Sequence, residues 1–160
     1  MDHLQAQASV PRAAMPDGFE LIDLGGGFSD SFGPVYVHSG HNKLGFRVAP
    51  DHLNPAGACH GGAMATFADM QIAAVRPRSA TKIQHRPTIH LSVDYLAPAR
   101  LAAWVEAAVT LVKTTRTMVF TQALITADGE IVARATGIYR NHGDAMPTEP
   151  VRDSRERDAP

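Results

Sequence analysis

A histidine followed by two glycines, His60-Gly61-Gly62, stands where a loop gives way to a helical pattern. The first N–H groups of a helix have no partner within it, and the helix dipole adds partial positive charge there. Glycines let a ligand approach that backbone closely. Such a tip can hold a carbonyl oxygen that gains negative charge during acyl transfer. A glycine-rich turn beside a histidine is the ordinary alternative for the same residues. Nine positions after His60 comes Asp69, between Ala63-Met64-Ala65-Thr66-Phe67-Ala68 and Met70-Gln71-Ile72-Ala73-Ala74-Val75. Burying its charge is costly unless it is paired, and almost no other face of this segment is polar. Either it faces solvent, as a lone acid in a helix commonly does, or it is retained for function, where it suits general-base work. Asn54, six residues before His60, could orient a water or a carbonyl, or could simply make the turn before Pro55.

The remaining candidates are weaker. Cys59 adjoins His60, but neighbours in an extended loop point apart, so a small buried thiol is the expectation. None of the eight histidines has zinc spacing, and no metal site is expected. Arg100, Arg116 and Arg140, with Lys113, are basic side chains at strand ends where phosphates could be held. No glycine-rich dinucleotide loop or phosphate-binding lysine loop is present, and no cofactor is called for.

These residues need elements to position them. Residues 33–38 and 43–48 have the pattern of paired strands, with 39–42 as their turn, and 50–59 form a loop. Residues 61–75 predict one apolar helix ended by Pro77. Ile89, Leu91, Val93 and Tyr95 then alternate with His90, Ser92 and Asp94, the period of a half-buried strand. Strands over 104–112, 117–126 and 131–139 follow, the last two joined by an Asp128-Gly129 turn. A helix apolar on nearly every side must be surrounded, and a curved antiparallel sheet wrapped around it does so. The expected class is α+β, a hotdog arrangement. Residues 1–17 are expected to form an N-terminal arm, 18–142 the domain, and 143–160 a disordered tail rich in charge and proline.

Bulk properties agree with a single globular domain: 160 residues, 44 % hydrophobic and 19 % charged. The net charge of -1 gives no field to attract nucleic acid or an acidic membrane, and neither partner is expected. One cysteine excludes an intramolecular disulfide framework and points to a reducing, cytoplasmic setting. The N-terminus lacks a secretory pattern, and no apolar run reaches the roughly 20 residues of a spanning helix.

Asn54-Pro-Ala-Gly-Ala-Cys-His60-Gly-Gly-Ala-Met-Ala-Thr-Phe-Ala-Asp69 and Tyr95-Leu96-Ala97-Pro98-Ala99-Arg100 resemble the phenylacetate-pathway (PaaI-like) type of hotdog acyl-CoA thioesterase. The resemblance runs from about residue 33 to 142. It implies hydrolysis of an aromatic or a short- to medium-chain acyl-CoA to free acid and coenzyme A. The Gly61 N–H, beside Gly62, would polarise the thioester carbonyl. Asp69 from a neighbouring subunit would activate water or attack directly, with Asn54 and His60 positioning the reactants. Thr88 falls where relatives carry a serine that assists the water. The family works as homodimers, often paired into tetramers, with active sites between subunits.

Two departures stand out. Ala102-Ala103 occupy a place where the family often has Gly-Asp, and Thr88 shares strand parity with the polar face unless Pro87 begins an irregular strand. A dehydratase or hydratase of the same fold, using His60, is the runner-up, and a non-catalytic acyl-CoA-binding module the third reading. Met64, Phe67 and Met70 suit either an acyl pocket or the core.

Overall fold

The computed structural model describes residues 15–76 and 85–143. In chain order these form β1 (Phe19–Leu21), α1 (Phe28–Phe32), β2 (Tyr36–His38), β3 (Lys43–Arg47), a 3-10 turn (Pro50–His52), α2 (Gly61–Asp69), a second 3-10 segment (Met70–Val75), β4 (Thr88–Tyr95), β5 (Trp104–Thr114), β6 (Met118–Ala127) and β7 (Glu130–Arg140). The strands make one antiparallel sheet in the order β1-β2-β3-β5-β6-β7-β4. The expected hotdog architecture, a sheet around one central helix, is what the chain adopts. Among the described residues, no helix is long and apolar enough to cross a membrane.

The three long strands show why the sheet holds the helix. In β6 the inward residues Val119, Thr121, Ala123, Ile125 and Ala127 are buried, alternating with more exposed Gln122 and Leu124. Buried positions on β5 and β7 include the small Ala107, Ala133 and Ala135, which share one core with Met64, Phe67 and Ala68 of α2. Phe67 is fully buried and lies 4.6 Å from the ring of Phe46. Met64 and Phe67 are therefore core, while Met70 is only partly buried.

Several expected boundaries differ from those observed. The first expected strand, 33–38, begins only at Tyr36, because Gly33 closes α1 with φ 100 and Pro34 has no N–H to pair. Neither β1 nor α1 was anticipated; each is too short to show a period. The expected single helix over 61–75 is α-helical only to Asp69. Two carbonyls that would accept from residues 72 and 73 in a continuing helix also accept from side chains. Gln71 Nε2 donates to Ala68 O at 3.0 Å and Tyr139 Oη to Asp69 O at 2.9 Å. The chain continues as a tighter 3-10 turn. Pro77, the expected helix stop, the residues up to 14 of the arm, and the tail from 144 lie outside the described residues. The Asp128-Gly129 hairpin is as anticipated: both residues have positive φ (47 and 90), and Ala127 pairs with Glu130.

Candidate active site

The loop before α2 is built on local hydrogen bonds. Asn54 Oδ1 accepts from the N–H groups of Ala56 (3.0 Å) and Ala58 (3.2 Å), and its own N–H donates to Ala58 O. The side chain thus closes the turn, with only Nδ2 left without a hydrogen bond among the described residues. Asn54 acts here first as a loop former. Ala58 pairs with Arg100 and Cys59 N–H donates to Ala99 O, so the segment after Pro98 braces the loop.

His60 is the N-cap of α2, with extended φ −62, ψ 139, and its Nδ1 accepts from Gly62 N–H at 2.8 Å. That bond divides the roles of the two glycines. The Gly62 N–H is committed to the cap. The Gly61 N–H has no partner among the described residues and is the open donor at the helix tip. Absence of a side chain at Gly62 protects the cap, since a Cβ there would lie 3.0 Å from His60 Nδ1. Tyr95, at the far end of β4, places its ring over Gly61 and donates its hydroxyl to Gly61 O at 2.9 Å. Nothing in the sequence singled out that contact.

At the other end of α2, half-buried Asp69 accepts from Thr88 Oγ1 at 2.8 Å through Oδ1. Its Oδ2 has no partner among the described residues. The parity that set Thr88 on the polar face fails at the strand's first step. Thr88 stands opposite Tyr139 and His90 opposite Ile138, so Ile89 is an extra residue and the bulge reverses the alternation. Beyond it the pattern holds: Leu91 and Val93 pack against the core, and His90, Ser92 and Asp94 are exposed.

The basic candidates fall into two groups. Arg100 lies beside Ala58, at the helix-tip end. Arg116, in the β5–β6 hairpin, and Arg140, paired with Met118, lie toward the Thr88 end. All three are exposed. Burial pushes the Cys59 thiol up to about 11, so it is protonated near neutrality and inert as a nucleophile. Among the described residues no cluster of three or more His, Cys, Asp or Glu could hold a metal.

Within one chain the open amide and the acid cannot meet on one atom. Eight residues of helix separate Gly61 from Asp69, about 12 Å of axial rise. The two half-sites are joined along the sheet by β4, whose first residue reaches Asp69 and whose last reaches Gly61.

A family model of the thioesterase superfamily matches residues 56–133, which span the helix tip, Asp69 and Thr88. A Pseudomonas aeruginosa protein named "Putative esterase" is 26 % identical over 78 % of this chain and 96 % of its own length. The phenylacetic acid degradation protein PaaI of Thermus thermophilus is similar in structure, with TM-score 0.55 and 24 % identity over 78 % of this chain and 93 % of that one. A Streptococcus mutans protein solved bound to acetyl CoA has TM-score 0.59 at 20 % identity, over 85 % of this chain and 98 % of that one.

Proposed function

Taking the chain as a hotdog-fold protein of the thioesterase superfamily, we propose that it hydrolyses acyl-CoA thioesters at a site completed by a second copy of itself. The observation that carries this reading is the split between an open amide at one end of α2 and an acid with a free oxygen at the other. β4 is an edge strand that exposes Ile89 and Tyr95. Such an edge is a template for another strand. Two copies of β4 related by a two-fold axis run antiparallel, which sets the Thr88 end of one against the Tyr95 end of the other. Each Gly61 then faces the Asp69 of the partner subunit.

The chemistry follows from what each group has left to offer. The Gly61 N–H and the dipole of α2 receive the thioester oxygen and stabilise it as it becomes an oxyanion. Thr88 occupies Asp69 Oδ1, and Oδ2 takes a proton from a water whose oxygen attacks the carbonyl carbon. Collapse of the tetrahedral intermediate breaks the C–S bond and releases the coenzyme A thiolate. His60, its Nδ1 bound to the cap, serves the loop rather than acting as a base there. The same two-fold brings Arg116 and Arg140 of one subunit toward Arg100 and the helix tip of the other, where coenzyme A phosphates would find charge-assisted partners. A cytoplasmic setting is in keeping with a substrate of that kind and with a single, unpaired cysteine.

Asp69→Asn should lower kcat by roughly 10² to 10⁴ while leaving the fold intact. Thiol release from a panel of aryl, short and medium acyl-CoAs measures this, with circular dichroism as the folding control. Near-wild-type turnover by the variant removes Asp69 from the mechanism. Loss of conjugated absorbance from an enoyl thioester, without thiol release, would indicate hydration instead.

A further inference from the structure

Tyr139 sits beneath the Asp69–Thr88 pair and touches both members. Its backbone is the register partner of Thr88, and its hydroxyl donates to the backbone carbonyl of Asp69 at 2.9 Å. The side chain is fully buried, and burial together with the Asp69 charge pushes its phenol well above the ordinary tyrosine range. The hydroxyl therefore stays protonated and remains a donor. Its ring lies across Gly137, where a Cβ would come within 2.6 Å of the ring and hydroxyl. That glycine is the seat that lets the phenol reach the helix.

Beside it, Gln71 is fully buried and donates to Ala68 O at 3.0 Å. The two side chains thus occupy consecutive carbonyls, and the change from α to 3-10 geometry falls directly after Asp69. Without them, those carbonyls would be open to the N–H groups of residues 72 and 73, and the helix could run on. In a continuing helix the peptide after Asp69 would turn, and the carboxylate would swing with it.

We propose that Tyr139, seated on Gly137 and supported by Gln71, is a positioning residue that fixes Asp69 against Thr88. It touches neither substrate nor reacting atoms; it acts through the Asp69 peptide. This deepens the thioesterase reading and rests on it for its kinetic consequence, though the structural consequence stands apart.

The test uses the full-length chain carrying Tyr139→Phe, which removes one oxygen and keeps the ring. Expected is a fall in kcat of about 10- to 100-fold, with KM little changed, since a displacement near 1 Å is enough for such a loss. In an Asp69→Asn background the same change should lower kcat no further, whereas a general loss of folded protein would lower it again. A crystal structure of Tyr139→Phe should show the Thr88–Asp69 hydrogen bond broken. Should that variant fold poorly, Gly137→Ala, which keeps the hydroxyl but unseats the ring, should give the same broken contact. Wild-type kcat with the Thr88–Asp69 bond intact in Tyr139→Phe overturns the proposal. If the wild-type protein hydrolyses no acyl-CoA, the thioesterase reading falls, and the crystal structure still decides the role of Tyr139.

Discussion

The carboxylate of Asp69 has one oxygen held by Thr88 and one open, which orients it and leaves it able to accept a proton. Cys59, only ten positions away, has a thiol held in its protonated form by burial. Cys59→Ala is expected to keep turnover within about twofold of wild type, checked by thiol release, and iodoacetamide near neutral pH should not inactivate the protein. At this scale the sequence shows which residue types are present and how far apart, enough to single out His60, Gly61 and Asp69. It does not show which atoms are already spent. Gly62 looks equivalent to Gly61 until His60 is seen to cap it. Asn54 suggests a free amide until its oxygen is found closing a turn. Thr88 reads as outward because alternation is counted from the strand interior, and one bulged residue inverts it.

Periodicity resolves long elements and misses short ones. The four strands after the helix follow from alternation and the Asp128-Gly129 turn, while β1 and α1, three and five residues long, carry too few positions to show a period. The end of α2 was invisible for another reason: the carbonyl of its last residue is bound by Tyr139, seventy positions away in sequence. The loop before β5 shows a local cost. Ala102 has φ 64, the left-handed region that favours glycine. It is held by its N–H to Val48 O at 2.9 Å and by Arg47 Nη1 donating to its carbonyl at 2.8 Å. An alanine in that conformation costs about 1–2 kcal/mol. Ala102→Gly should therefore stabilise the protein by about 0.5–1 kcal/mol after the looser unfolded chain is counted. A melting temperature raised by about 1–4 °C in calorimetry is the expected result; no rise, or a fall, would mean that the turn is not strained.

For the whole molecule, the decisive feature is that β4 ties together two half-sites at opposite ends of one helix. In the proposed function one chain supplies the amide and another the acid, so two inactive chains should repair each other. Gly61→Pro removes the N–H while suiting the first helical position, since proline is favoured there and His60 is already extended. Space is available, because a Cβ at Gly61 would meet Tyr95 at an ordinary 3.5 Å. Alone, Gly61→Pro and Asp69→Asn should each be nearly inactive. Co-expressed in equal amounts, half of the dimers are mixed, and each mixed dimer holds one site with both groups native. Thiol release should then recover to about a quarter of the wild-type rate. A mixture no faster than its two parents, with mixed dimers shown to be present, would contradict a site shared between chains.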